Sequence, residues 1–420
     1  MIETINLFPG ITLRCWTDTR FKTNCLSIQL VRSMDRQEAS ANALISAVLL
    51  RGSRLHPDIR SITLRLDDLY GATVGSLVRR VGDYQTTGFY CSFTEDRYAL
   101  NGDAVLEPMI GFAGELLLDP YLENGVFCAD FVEGEKKNAL AAIEAQKNDK
   151  RIYAANKLIQ NMCKEDPTGI PRLGTPEQVR ALEPQGLYAH YRKILRESPI
   201  QIFYVGAQEP ETVATLLRPV LAQIDRDYVN LPPQTPFRDA GPYRGEEAMD
   251  VTQGKLQMGF VSSGTINTPY FVPMQVLNSV FGGGMISKLF MNVREKMSLC
   301  YDIGSSYQGG KGILTVGAGM DHDMAKTVEE EVLRQLEECR RGNITSQELE
   351  SAKESILSSL RSVHDSPGAI ENYYATSVLS GLAISIPEYM EQVRRVTVEQ
   401  LTEVANMLKL HSVFLLKGVQ

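Results

Sequence analysis

The sequence has 420 residues, of which 43% are hydrophobic and 22% charged, as expected for a globular protein of two or three domains at roughly 150 residues each. Its net charge of −8 argues against nucleic acid and against an anionic membrane surface as partners. The seven cysteines are odd in number and form no CxxC pair, which argues against a disulfide framework and against a cysteine-based zinc site.

The beginning of the chain has no apolar core of the kind that a signal peptide needs, because charged residues interrupt positions 1–22. Elsewhere, no uninterrupted apolar run approaches the roughly 20 residues of a membrane-spanning helix. We therefore expect a cytoplasmic protein with no membrane partner, in which reducing conditions keep the cysteines as thiols.

The predicted elements repeat along the chain. A strand over 26–31 and a helix over 39–50 open the first half, and a strand over 256–261 and a helix over 271–281 open the second. Each half closes with a helix that begins in a T-x-E-Q capping sequence, at 175–178 and 397–400, followed by an apolar strand over 200–206 or 413–418. Between them, Gly342 ends a helix of period 3.6, and Thr345 and Glu348 form the capping box of the next helix.

A proline-rich stretch over 227–246 separates the two halves and favours an extended, semi-rigid backbone. We therefore predict an α+β protein of two homologous mixed α/β domains, 1–226 and 247–420, joined by a linker over 227–246. A duplicated pair of domains can hold a ligand in a cleft between them.

One motif in the second half points to a family. Residues 281–290 read FGGGMISKLF, and residues 294–301 read REKMSLCY. This pattern closely resembles the C-terminal half of the pitrilysin/insulinase-type metallopeptidases, in which a glycine-rich turn leads into a helix with R-E-K-x-x-L-x-Y. The resemblance implies a fold with layers like those of LuxS and the processing peptidases. It also implies that Arg294 and Tyr301 hold the backbone of a peptide substrate near a zinc ion.

These two residue types suit that role. An arginine donates to a peptide carbonyl without risk of losing its proton, and a tyrosine hydroxyl can donate to an oxyanion that develops there. Taken alone, Arg294 would more often be a surface helix residue in a charge pair and Tyr301 a half-buried strand aromatic, but the surrounding pattern favours the substrate-binding role. The glycine run could also suggest a phosphate cradle, but it lacks the GxxxxGK[ST] form and a preceding strand.

The first half departs from the family pattern at the zinc site. The family carries an inverted H-x-x-E-H motif on the first helix, and residues 51–53 (RGS) set the register of the matching stretch here. In that register both histidine positions hold alanine, Ala43 and Ala47, and the position of the general-base glutamate holds Ser46. Positions i, i+3 and i+4 share one helix face, so that face lacks every metal-binding group.

The distal zinc ligand of the family is a glutamate on a later helix, and by the same resemblance its position falls on Ala142, with Glu144 as a nearby alternative. We therefore expect no metal, no cofactor and no catalytic residue in this chain. His322, between Asp321 and Asp323, is a second possible metal site, but we favour a solvated helix start that one of the two aspartates caps.

Split peptidases exist within the family, in which one subunit keeps zinc and the other keeps only the Arg/Tyr pair. This sequence looks like the second kind. Residues 21–23 (FKT), 69–72 (LYGA) and 148–150 (NDK) further resemble an inactive bacterial subfamily that is named for its association with elongation factor P modification and is typically encoded beside a zinc-bearing relative.

We therefore expect a non-catalytic subunit that binds peptide for a zinc-bearing homologous partner. The predicted strand over 74–81 is the candidate edge to which a peptide could add. Two alternatives remain open. One is an inactive scaffold or binding protein in a protein-modification pathway with no proteolytic role. The other is a new activity in the same fold, for which the sequence offers no nucleophile motif.

Overall fold

The computed structural model describes residues 2–418 as a mixed α/β protein. Within them, strands form a six-stranded sheet, a five-stranded sheet and one short hairpin. In chain order the strands are β1 (Glu3–Phe8), β2 (Ile11–Thr17), β3 (Thr23–Ser33), β4 (Thr73–Val81), β5 (Tyr84–Thr94), β6 (Leu122–Glu123), β7 (Val126–Phe127), β8 (Ile200–Gly206), β9 (Tyr243–Met249), β10 (Gly254–Val261), β11 (Asp302–Gln308), β12 (Ile313–Met320) and β13 (Lys409–Gly418).

The α-helices lie between these strands, and the helices predicted over 39–50 and 271–281 are confirmed over 39–49 and 271–281. In chain order they are α1 (Ala39–Leu49), α2 (Ile59–Asp68), α3 (Leu106–Leu118), α4 (Ala129–Ala145), α5 (Lys150–Met162), α6 (Pro176–Arg180), α7 (Pro184–Glu197), α8 (Pro210–Leu221), α9 (Phe271–Phe281), α10 (Ala325–Arg340), α11 (Ser346–Ser362), α12 (Pro367–Ser380), α13 (Ile386–Arg395) and α14 (Val398–Met407). None of the helices described is both long and apolar enough to cross a membrane.

The predicted helix caps are confirmed. Thr175 and Thr397 each accept a hydrogen bond from the backbone N–H three residues on, and Gln178 and Gln400 reach back to the threonine N–H. Thr345 and Glu348 exchange the same pair of bonds before α11. Each reciprocal pair satisfies two backbone donors that would otherwise lack a partner in the first helical turn.

The chain forms two compact units, and the first comprises residues up to Glu144, Ile170–Pro233 and Val363–Leu379. Its sheet has the order β1-β2-β8-β3-β5-β4, so β4 is an edge strand, as the sequence predicts for 74–81. Strand β3 is buried along most of its length because both faces of the sheet are covered. Leu26, Ile28 and Leu30 join the core with α1 and α3, whereas Cys25 on the opposite face packs against Ile370 of α12.

The second unit comprises Ala145–Gly169, Gln234–Ser362 and the residues from Ser380 onward. Its sheet has the order β11-β12-β10-β13-β9. Helix α5 packs on one face, where Leu158 contacts Phe414 and Leu416 of β13. Gly259 of β10 allows this close packing, because a Cβ at this position would lie 2.5 Å from the Met162 sulfur and that side chain would have to shift.

The two compact units differ from the predicted domains, 1–226 and 247–420, in the placement of two segments. Residues 145–169, which carry α5, lie in the second unit, and residues 363–379, which carry most of α12, lie in the first. The predicted linker is also too long. Residues 225–242 form neither helix nor strand, but 243–246 begin β9, which pairs in parallel with β13. An edge strand with alternating exposed charges has no apolar pattern by which the sequence could reveal it.

Candidate functional site

The predicted zinc-motif positions lie on α1, which packs Leu44, Ile45 and Val48 into the core of the first unit. Ala43 and Ala47 are half-buried, and Ser46 is buried. The Ser46 hydroxyl oxygen lies 2.7 Å from that of Ser76 on the edge strand β4, so the two hydroxyls hydrogen-bond each other. The face therefore lies beside β4 but offers methyl groups and one paired hydroxyl, which do not fit a zinc ion.

A buried polar chain lies next to these positions and was not predicted. The Nε2 of His190 on α7 is 2.7 Å from the side-chain oxygen of Asn42, and the Asn42 amide donates to Gln85 of β5. Burial lowers the pKa of His190, with Glu38 opposing the shift, so the imidazole tends to be neutral. The three residues are too far apart in sequence for spacing to have linked them. They tie α1 to α7 and to the sheet.

Ala142 is exposed on α4, as is Glu144. The first half of α4 contacts Arg51, which lies shortly after the end of α1. The Arg51 guanidinium is 3.4 Å from the Glu135 carboxylate and stacks over the ring of Phe131. From Glu135 to Ala142 the helix rises about 10 Å, at 1.5 Å per residue. The structure thus places the contact of α4 with the end of α1 two turns before the predicted ligand position.

The glycine run is followed by a π-helix over Leu289–Lys296, where the sequence predicts an ordinary helix. Gly282 is required because a Cβ there would lie 2.7 Å from the Ser305 hydroxyl and 2.8 Å from Leu289. Ser298, at a φ of 53°, then turns the chain through the left-handed region toward Tyr301. Short π-helical turns are frequent at functional sites because they re-aim side chains locally.

Arg294 and Tyr301 come together on the surface of the second unit. The Nε of Arg294 donates to the backbone oxygen of Tyr301 at 2.9 Å, and its Nη1 pairs with Glu295 at 2.8 Å. The guanidinium also stacks 4.5 Å above the ring of Phe290. Both side chains remain accessible, since Arg294 is 38% and Tyr301 53% exposed. The arginine is therefore fixed in place and can still donate to an incoming acceptor.

The Tyr301 hydroxyl donates to the Asp321 carboxylate at 2.9 Å, which raises the pKa of the phenol. This contact corrects the predicted role of Asp321. It occupies the N-cap position of a short 3₁₀ turn, His322–Met324, but its side chain makes no capping bond there. The adjacent His322 accepts a hydrogen bond from the Gly418 N–H at 3.1 Å. Asp321 thus orients the tyrosine instead of opening a helix.

The cysteines offer no reactive thiolate. All seven are buried, and none forms a disulfide. Burial, with a contribution from Asp302, raises the pKa of Cys300 to about 11, although this thiol is beside Tyr301 in sequence. Among residues 2–418, no group of three histidine, cysteine or acidic side chains lies close enough together to hold a metal ion.

Comparison with known proteins shows which family this chain resembles. The family model "Peptidase M16 inactive domain" matches residues 181–356. The chain is 26% identical over 411 residues to the "Probable inactive metalloprotease YmfF" of Bacillus subtilis, covering 98% of this chain and 96% of that protein.

Two solved structures share the fold over the full length of the chain. A conserved protein from Enterococcus faecalis has a TM-score of 0.92 at 26% identity, covering 100% of this chain and 99% of that one. A peptidase M16 inactive domain from Pseudomonas fluorescens has a TM-score of 0.82 at 17% identity, covering 100% and 98%. Together with the family-model match, these similarities confirm the predicted resemblance to the M16-type peptidases and the mixed α/β fold.

Proposed function

This chain is an inactive-type homologue of the M16 peptidases, and from that premise we propose that it is the non-catalytic subunit of a two-chain zinc peptidase. A homologous partner supplies the metal and the hydrolytic step. This chain supplies Arg294 and Tyr301, which bind and position the peptide. The observation that carries the proposal is the pairing of an organised, accessible Arg294–Tyr301 site with a first helix whose motif positions, Ala43, Ser46 and Ala47, hold no ligand.

The contacts of the pair support a positioning role. The Arg294 guanidinium is held by Tyr301, Glu295 and Phe290, so little rotamer entropy is lost when it binds a peptide carbonyl. The Tyr301 hydroxyl donates a hydrogen bond to Asp321, and it can turn from there to donate to a substrate oxygen. A site that only stabilised the fold would have no need to leave both side chains this accessible.

The edge strand β4 supplies a second element of the proposal. Its outer edge is unpaired in the sheet order, and Gly75 and Ser76 are exposed along it. An extended peptide that paired with β4 would pass directly beside Ser76, which contacts the emptied face of α1. The proposal therefore expects backbone amides of β4 to gain protection from hydrogen exchange when peptide is bound.

The test is reconstitution with a zinc-bearing homologue from the same genome, followed by cleavage of a quenched fluorescent peptide library. Arg294→Ala and Tyr301→Phe should each lower kcat/KM by on the order of 10²-fold, the size seen when one preorganised donor is lost. Matched controls are Arg341→Ala and Tyr98→Phe, which change exposed residues of the same types elsewhere. Unchanged kcat/KM in both test variants would refute the assigned role.

Size-exclusion chromatography separates this proposal from the scaffold alternative. The two-chain peptidase predicts a stable complex whose activity depends on Arg294 and Tyr301. A complex that forms but cleaves peptides equally well with either variant would favour a scaffold. Failure of the two proteins to associate at all would refute the subunit role.

A further inference from the structure

The two units share a repeated plan, but the described part of the second unit shows no counterpart of two elements of the first. Strands β9, β13, β10, β12 and β11 follow the same spatial order and pairing directions as β2, β8, β3, β5 and β4. Helix α10 follows β12 as α3 follows β5. In the first unit, β1 pairs with β2, and α8 packs against β1, β2 and α3. Within the described part of the second unit, β9 is an edge strand, and no helix packs against it as α8 packs against β2.

A groove of about 850 Å³ lies at that place in the second unit. Its floor is the face of the sheet formed by Leu256, Val413 and Leu415, and Ala325 and Leu333 of α10 form one wall. Leu333 and Leu415 are half-buried, so apolar surface meets solvent along the groove.

The first unit shows what kind of element fits such a groove. Helix α8 has 12 residues and buries Val213, Ala214, Leu217 and Leu221, which form one stripe at helical spacing. Its exposed side carries polar residues such as Glu211 and Arg218. We propose that the groove between α10 and the sheet of the second unit binds an amphipathic helix of a partner protein, seated as α8 is seated in the first unit.

The charges at the rim define the partner further. Acidic residues outnumber basic ones, and one ion pair, Arg244 with Glu329 at 3.0 Å, joins β9 to α10 and holds the two sides of the groove together. A helix with lysine or arginine beside its apolar stripe is therefore favoured over an acidic one. The charged lining residues are Arg244, Glu246, Asp323, Lys326, Glu329 and Glu330.

This inference does not depend on Arg294 and Tyr301, and its test needs no natural partner. The probe is a fluorescein-labelled synthetic peptide that copies residues 209–222, with Pro219→Ala to remove the proline inside the helix and three lysines added at its C-terminus. Fluorescence anisotropy with the full chain should show saturable binding, with a Kd on the order of 10 μM. A second peptide with Val213, Leu217 and Leu221 changed to serine should bind at least about tenfold more weakly.

Variants of the chain locate the binding. Leu333→Lys should weaken binding at least about tenfold by placing a charge in the groove. Ala325→Trp should do the same by filling it, which keeps the test valid if one variant folds poorly. The matched control is Leu64→Lys, at an exposed leucine of α2 in the first unit.

Hydrogen exchange measures which segments of the chain the bound peptide contacts. A seated helix should protect 325–333 of α10 together with β9. Protection confined to the β9 backbone would indicate strand addition and overturn the helix proposal. Absence of saturation up to about 1 mM peptide would overturn it as well, as would wild-type affinity in both groove variants.

Discussion

The buried carboxylate of Glu371 holds α12 on the sheet of the first unit. Glu371 is fully buried and accepts two hydrogen bonds from the Arg79 guanidinium, at 2.9 and 2.7 Å, one from Ser27 at 2.7 Å and one from Gln29 at 2.9 Å. Glu371→Ala leaves the guanidinium, only 19% exposed, without its counter-charge. Loss of one partner of a buried ion pair costs about 3–5 kcal/mol, which lowers Tm by about 6–20 °C at 2–4 °C per kcal/mol.

The single tryptophan of the chain provides the assay. Trp16 stacks on Tyr374 of α12 at 5.4 Å and on His364 at 5.0 Å, so its fluorescence reports whether α12 is docked. Urea titration should show the fluorescence transition of Glu371→Ala at clearly lower denaturant. The double variant Glu371→Leu with Arg79→Met should recover most of the loss, because neither charge is then buried alone.

A surface ion pair serves as the control for this experiment. Arg54→Ala breaks an exposed pair with Asp119 in the same unit and should cost less than about 1 kcal/mol. If Glu371→Ala costs no more than Arg54→Ala, or if the double variant is less stable than the single one, the reasoning about the buried carboxylate is wrong.

Three further predictions concern pH, strand packing and capping. Because the folded-state pKa of His190 is depressed, the unfolded chain binds more protons below its own pKa of about 6.5, so stability should fall as pH drops below that value, and His190→Gln should flatten the fall in a plot of Tm against pH. Gly88→Ala should cost more than about 2 kcal/mol by urea denaturation, since the added Cβ would lie 1.9 Å from the Ile28 carbonyl oxygen; a wild-type midpoint would contradict this. Thr397→Ala should cost about 1 kcal/mol in the same assay, and a loss below about 0.3 kcal/mol would contradict the capping role.

Much of the fold follows from local patterns in the sequence. The capping sequences at Thr175 and Thr397 and the apolar strands over 200–206 and 413–418 are short-range features, and the structure forms them. The helix that Thr175 caps is shorter than expected, because it ends at Arg180 and α7 intervenes before β8. The place of α12 could not be predicted in the same way. Glu371 finds Ser27 and Gln29 more than 340 residues away, and nothing near Glu371 in sequence indicates which sheet would bury it.

In the candidate site, too, the residues close in sequence were identified and a contact with a residue further along the chain was missed. Arg294 and Tyr301, which the family resemblance singled out, lie beside each other because one short helical turn and one reversal join them. The role of Asp321 was missed, because an aspartate before a helix is also the ordinary pattern of an N-cap. Its true partner, the Tyr301 hydroxyl, lies across the hairpin of β11 and β12.

Zinc content tests the central claim most directly. The claim is that Ala43, Ser46 and Ala47 leave this chain without a metal site, so that any hydrolysis comes from another protein. Purified chain, expressed in zinc-supplemented medium and dialysed exhaustively, should contain far less than one zinc per chain by inductively coupled plasma mass spectrometry. About one zinc per chain, retained through dialysis and released only by a strong chelator, would contradict the account.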